Sequence, residues 1–253
     1  MKRLQDNVTI ITGAGKGIGY GLAEAFAEAG SNLVITGRTE SRLLAAKERL
    51  EAQYGVEVLP IVADGADEEA IKSVVTQAVE KFGKINTLVN NAQVSKSGLP
   101  LVEHTREDLD LAIHSGHYAA FFYMRECHPY LKESRGSVIN FASGAGLFGK
   151  LGQSSYAAAK EGIRGLSRVA AAEWGPDGIR VNVICPLAMT ESLQDWKEHF
   201  PELFEKTIQG IPLGHFADPK DDIGRVAVFL ASEDAHYVTG ETITLQGGSG
   251  LRP

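Results

Sequence analysis

The chain has 253 residues, 43% hydrophobic and 23% charged, with 28 glycines, two cysteines and a formal net charge of −7. That negative balance, with no basic run longer than two residues, excludes general nucleic-acid binding, which needs clustered Lys and Arg against phosphate. No apolar stretch approaches the ~18 residues of a membrane span, and no signal-peptide segment follows Met1. Cys127 and Cys185 lie far apart in apolar surroundings, so free buried thiols in a soluble, cytoplasmic protein are expected.

Asn7 to Thr12 (NVTIIT) reads as a first strand, followed by a glycine cluster and a helix whose Ile18, Leu22, Phe26 and Ala29 form one apolar stripe. The pattern then repeats. A strand at Asn32 to Thr36 precedes a helix at Ser41 to Tyr54, and a strand at Glu57 to Val62 precedes a helix at Asp67 to Phe82. The strand at Thr87 to Asn90 leads into Arg106 to Lys132, and Ser137 to Phe141 into the helix Gln153 to Trp174. Arg180 to Ile184 is a sixth strand, Leu187 to Phe216 an insertion, Lys220 to Ala231 a last helix and Thr242 to Leu245 a seventh strand.

Most of these strands are apolar on both faces, as parallel strands between two helical layers must be. Alternating strands and helices imply right-handed crossovers, hence a three-layer doubly wound α/β (Rossmann) fold, with residues 1–253 as one domain. Ligands bind such folds beyond the carboxyl ends of the strands, so the segment 187–216 is placed to cover a substrate; alternatively it is an outer helix packing Trp196, Phe200 and Phe204 on the core.

The first strand runs into Thr12-Gly13-Ala14-Gly15-Lys16-Gly17-Ile18-Gly19 directly before a helix. Glycines let backbone N–H groups approach a pyrophosphate, and the helix N-terminus adds partial positive charge. A cluster between the first strand and first helix of an alternating chain is a dinucleotide site. The second strand ends Thr36-Gly37-Arg38, without the carboxylate that binds the ribose hydroxyls of NAD. Arg38 and Lys16 converge there as partners for a 2′-phosphate, so NADP(H) is expected in preference to NAD(H). Asp64, ending the third strand, either accepts from the adenine amino group or caps the following helix.

Of seven tyrosines, only Tyr156 has a lysine four residues on, at Lys160. That spacing puts both on one helix face. At ~5 Å and an effective dielectric of ~20 the cation favours phenolate by roughly 3 kcal/mol, enough to lower a tyrosine pKa by about two units and to make Tyr156 a general acid and base. Ser143, at the end of the fifth strand, is a hydrogen-bonding group for a substrate oxygen. No metal is required.

These motifs, with Asn90-Asn91-Ala92 after the fourth strand and Gly178-Ile179-Arg180-Val181-Asn182 leading into Cys185-Pro186, resemble the short-chain dehydrogenase/reductase family from Asn7 to Gly248, in the manner of its 3-oxoacyl-[acyl-carrier-protein] reductase-like members. The resemblance implies hydride transfer between NADP(H) and a carbonyl or secondary alcohol. It makes Tyr156 the proton donor and acceptor, Ser143 the group that orients the carbonyl oxygen, and Lys160 the holder of the nicotinamide ribose. Thr12, Gly13, Gly15, Gly17, Ile18 and Gly19 would cradle the pyrophosphate, Asp64 would face adenine, and Asn91 would support the cofactor. Backbone near Met189 and the Thr190 hydroxyl would approach the carboxamide. The tail Gly247 to Pro253 resembles a C-terminal end found at subunit contacts, which implies a homotetramer.

The chain departs from the family at three places. Gly116 stands where a catalytic asparagine holds a water behind the lysine, leaving the relay to water alone, to Ser115 or His117, or to nothing. Gln93 and Leu187 replace glycines after Asn90-Asn91-Ala92 and after Pro186. The Gly116 change motivates an alternative, an NADP(H)-binding protein with weak or no turnover that acts as a cofactor-responsive partner. Leu147, Phe148, Trp196, Phe200 and Phe204 would suit an apolar substrate such as a hydrophobic ketone, a steroid-like ring or an acyl thioester.

Overall fold

Seven parallel strands form one sheet in the order β3-β2-β1-β4-β5-β6-β7, in a computed structural model that describes residues 2–250. The strands are β1 (Val8–Thr12), β2 (Asn32–Gly37), β3 (Val58–Val62), β4 (Thr87–Asn90), β5 (Ser137–Phe141), β6 (Arg180–Pro186) and β7 (Thr242–Leu245). Each pairs in parallel register, as in Ile10 with Val34 and Leu88 with Val138. Pro60 has no N–H to donate and sits on β3, an edge strand that pairs only with β2.

Helices cover both faces because side chains along each strand alternate between them. On one side Ile11 of β1 packs with Leu22 and Phe26 of α1 (Gly17–Glu28), Leu43 and Leu50 of α2 (Glu40–Tyr54), and Ala227 and Leu230 of α10 (Arg225–Ala231). On the other, Val8 and Ile10 meet Ile71 and Val74 of α3 (Glu68–Phe82), Met124 and Leu131 of α5 (Ala119–Ser134), and Ala170 of α7 (Ser154–Trp174). The sheet order reverses between β1 and β4, and this opens a crevice at their carboxyl ends.

The core also contains polar ties. Asn140 of β5 accepts from Asn90 Nδ2 and donates to Ser167 Oγ of α7, each at 2.8 Å, which fixes that helix against β4 and β5. Asp67 caps α3, accepting from the N–H groups of Glu69 and Ala70 at 2.9 and 3.2 Å. Asp67→Ala is therefore expected to lower stability by about 1 kcal/mol, a fall in Tm of roughly 2–4 °C; an unchanged melting curve would remove the cap from the account.

Two expected helices differ from the structure. The segment expected as one helix from Arg106 to Lys132 is α4 (Arg106–Ala112), a wide π turn (Ile113–Tyr118) and α5. The expected helix Lys220–Ala231 begins instead with a π turn, Pro219–Gly224, ahead of α10. The insertion carries α8 (Glu191–His199) and α9 (Pro201–Gln209), and a short α6 (Gly144–Phe148) follows β5. The expected tail Gly247 to Pro253 ends in three residues, 251–253, that lie outside the described residues.

Candidate active site

The glycine turn follows from steric limits. Gly13 has φ +70°, which a side chain resists, and a Cβ at Gly19 would overlap the Gly13 carbonyl oxygen. The turn and the first turn of α1 can therefore meet only as glycines. Lys16 precedes α1 in extended conformation with no side-chain cap, leaving the helix's first N–H groups for an anion. Thr12 Oγ1 accepts from the N–H groups of Asn91 and Ala92, and Asn91 Nδ2 donates to the Thr12 carbonyl, all at 3.0 Å. Thr12 and Asn91 thus brace the ends of β1 and β4 against each other.

A cleft of about 430 Å³ opens above this brace. Thr12, Gly13, Gly15, Lys16, Gly17, Ile18, Gly19, Arg38, Asp64, Asn91 and Thr190 all line it. Asp64 Oδ1 accepts from Ala66 N at 3.0 Å and leaves the capping of α3 to Asp67. Lys16 and Arg38 are exposed at its mouth with Arg42, a third cation from the first turn of α2. Arg42 is a candidate that reading the sequence missed; its signal is the spacing Arg38-Thr39-Glu40-Ser41-Arg42, which brings a second guanidinium back over the strand end. Thr39, at the N-cap of α2, makes no side-chain cap bond, so first-turn N–H groups of that helix also face the cations' end of the cleft.

Ser143, Tyr156 and Lys160 lie together just past β5. Ser143 is the N-cap of α6, and its Oγ accepts from Ala145 N at 3.1 Å, which leaves its hydroxyl proton for the Tyr156 phenol oxygen. Tyr156 and Lys160 stand one turn apart on α7, with Lys160 Nζ 5.6 Å from the tyrosine ring centroid. Lys160 is only 3% exposed, and its Nζ donates to the Phe141 carbonyl at 2.6 Å. Burial lowers its pKa to about 8.

The expected acidification of Tyr156 by Lys160 is not found. Burial raises the phenol above its ordinary value, and only a hydrogen bond from Ser143 works against that. The physical reason is that desolvation penalises the phenolate, while the ammonium sits over the ring and points at Phe141 rather than at the phenol oxygen.

The other expected contacts are mixed. Met189 N–H donates to Ala217 O at 2.9 Å, and its side chain packs with Phe204, Ile211 and Phe216, so that amide is occupied. Thr190 caps α8 through Leu193 N at 3.3 Å. Leu187 joins the same apolar cluster as Met189, which absorbs its bulk. Trp196 and Phe204 pack against each other within the insertion, their rings tilted and the centroids 5.7 Å apart, and Phe204 is buried; of the aromatics expected to suit an apolar substrate, Phe148 and Phe200 are exposed. Cys127 and Cys185 are both buried and neither forms a disulfide among the described residues.

Gln93 and Gly116 meet. Gly116 lies in the π turn, and the Gln93 side chain fills the space beside it: a Cβ at Gly116 would stand 2.6 Å from Gln93 Cδ. Ser115 is engaged elsewhere, donating to the Val94 and Leu111 carbonyls and accepting from Val94 N. His117 rests against Gly162, and burial holds its pKa below the ordinary value. His114 packs edge-on against Tyr118.

Ser143, Tyr156 and Lys160 do not themselves line the cleft; they stand just past β5 of the same sheet. A phosphate-binding turn after β1 together with a phenol, an ammonium and a hydroxyl past β5 is the arrangement of a dinucleotide-dependent oxidoreductase. A family model described as enoyl-(acyl carrier protein) reductase matches residues 13–249. The chain is 59% identical over 252 residues to a 12alpha-hydroxysteroid dehydrogenase of Clostridium sp., covering 97% of each. It is 35% identical over 251 residues to the 3-oxoacyl-[acyl-carrier-protein] reductase FabG of Thermotoga maritima, covering 97% of this chain and 98% of that protein. Among solved structures it is similar to levodione reductase, with a TM-score of 0.92, 33% identity, and 98% and 99% of the two chains covered. The chain belongs to the short-chain dehydrogenase/reductase family, whose members act on hydroxyl or carbonyl groups with NAD(P)(H). Among the described residues no helix is long and apolar enough to cross a membrane.

Proposed function

We propose that this chain transfers hydride between NADP(H) and a hydroxyl or carbonyl group on a steroid nucleus, in the manner of a 12α-hydroxysteroid dehydrogenase. The observation that carries the reading is 59% identity to such an enzyme over 97% of both chains. The exposed aromatic surface at Phe148 and Phe200 agrees with a large apolar substrate, and the segment 187–216 is read as its cover. The site fits the dinucleotide: the glycine turn leaves no room for a Cβ at Gly19, and Lys16, Arg38 and Arg42 gather where a 2′-phosphate would be bound.

The bound nicotinamide supplies or accepts the hydride. Tyr156 gives its hydroxyl proton to the carbonyl oxygen in reduction and removes it from the alcohol in oxidation. Ser143, whose Oγ lone pair is already held by Ala145 N–H, donates to the same oxygen and stabilises the charge that develops there. Lys160, fixed by Phe141, provides the positive charge that holds ribose hydroxyls. Exposed Leu109, Phe121 and Val169 agree with the homotetramer implied by the family resemblance.

The test follows NADPH and NADP+ conversion with a 12-oxo and a 12-hydroxy steroid beside a 3-oxoacyl thioester, using Tyr156→Phe as control. Steroid turnover that falls about 10²–10⁴-fold in the control is expected. Preference for the thioester would overturn the substrate. Turnover surviving in the control would overturn the role of Tyr156, and NADPH that raises Tm without any turnover would favour the binding-protein alternative.

A further inference from the structure

We propose that Gln93 is a positioning residue for proton transfer at Tyr156 and Lys160, its carboxamide holding the water through which that pair exchanges protons with solvent. This rests on the catalytic reading above. Gln93 leaves the carboxyl end of β4, lines the cleft and turns inward, so that its Cδ and Oε1 lie 2.6 and 2.7 Å from where a Cβ at Gly116 would be. The carboxamide therefore occupies the place of a side chain at position 116. The π turn that carries Gly116 packs against α7, the helix of Tyr156 and Lys160. Only glycine at 116 admits the glutamine.

Both polar atoms of that amide are buried, and neither has a hydrogen-bond partner among the described residues. Each such group left unmet costs about 1–3 kcal/mol, and an amide both donates and accepts, so a small polar molecule is the natural complement. Lys160 has a matching surplus. Its ammonium carries three donors, and the Phe141 carbonyl takes one. Of the polar groups nearby, the Ser115 hydroxyl is held by backbone on both sides, whereas His117 Nδ1, packed toward Gly162 of α7, is buried and also without a hydrogen-bond partner among the described residues, so it is a second group able to bond the same water. The titratable groups around the pair are Tyr156 and Lys160 from α7, His117 from the π turn and Cys185 from β6.

The proton balance is simple. In oxidation one proton per turnover leaves the alcohol for Tyr156 and must reach solvent. A water held by Gln93 accepts a proton as it passes one of its own outward, and the amide itself neither gains nor loses one.

The experiment compares Gln93→Leu with the swap Gln93→Gly/Gly116→Asn, which returns a carboxamide to the same space from the other side. In Gln93→Leu, kcat for steroid oxidation should fall about ten- to a hundredfold, with KM for cofactor and steroid within about threefold of the parent and the pH dependence of kcat displaced by about one pH unit. The swap should recover most of kcat and the parental pH profile. Parental kcat and profile in Gln93→Leu would overturn the proposal, as would a folded swap that recovers neither. Should Gln93→Leu fail to fold, the swap alone decides, by those same two readings. A parent enzyme inactive on every substrate would sink the catalytic reading and this inference with it, whereas an active parent with an indifferent Gln93 sinks only this one.

Discussion

Lys160→Met should reduce turnover about 10²–10⁴-fold while removing a pH-dependent weakness from the apoprotein. Lys160 is a buried cation with one hydrogen bond, and burial brings its pKa from 10.5 to about 8. A folded-state value below the unfolded one means that the unfolded chain binds more protons between pH 8 and 10.5, so stability rises with pH across that window. Below pH 8 the full penalty is present: 10.5 − 8 is 2.5 units, which at 1.36 kcal/mol per unit is about 3 kcal/mol. Methionine removes that penalty but strands the Phe141 carbonyl, at a cost of about 1–3 kcal/mol. Near pH 7 the variant should thus equal or exceed the parent in stability by up to about 2 kcal/mol. Near pH 10 it should be the less stable protein, because the neutral lysine still donates to Phe141. Denaturant unfolding of both proteins at the two pH values measures the change, about 3 kcal/mol in the difference. A difference that stays constant with pH would mean that Lys160 is not a strained cation.

The sheet and the glycine turn were legible because their causes are local. Parallel strands buried on both faces read as unbroken apolar runs, and Gly13 and Gly19 are demanded by a backbone contact six residues apart. What was not legible depends on contacts between distant segments. The π turn at Pro219–Gly224 arises where α1 packs close against it: a Cβ at Gly21 would stand 2.5 Å from Pro219 Cβ, and one at Gly224 the same distance from Ala25 Cβ. Gln93 and Gly116 were each visible as a departure from the family, yet only the fold brings them into contact. The expected acidification of Tyr156 fails for a different reason. Attraction to Lys160 at high dielectric leaves out the desolvation of the phenolate, and burial of this helix face makes desolvation the larger effect. In the insertion, aromatic residues were legible but their direction was not, since Phe204 turns into a small core of its own with Ile211 and Phe216.

Arg38→Asp should convert the cofactor preference from NADPH to NADH. Arg38, Lys16 and Arg42 line one end of the cleft, and no ion pair with a carboxylate engages any of them among the described residues. On the reading proposed above, they are free to meet a 2′-phosphate. Removing the guanidinium forfeits charge-assisted hydrogen bonds of about 1.5–3 kcal/mol, and an aspartate adds like-charge repulsion against the phosphate. Together these lower kcat/KM for NADPH by about 10²–10³-fold. The same carboxylate, at the end of β2, accepts from the ribose hydroxyls of NADH, so kcat/KM for NADH should rise. Ionic strength separates this account from a structural one. KM for NADPH in the parent should increase with salt, since exposed cations are screened, while KM for NADH in the variant should be nearly insensitive to it. If Arg38→Asp depressed both cofactors equally, the residue would be shaping the turn rather than reading the phosphate, and comparable use of NADH by the parent would dissolve the case for all three cations.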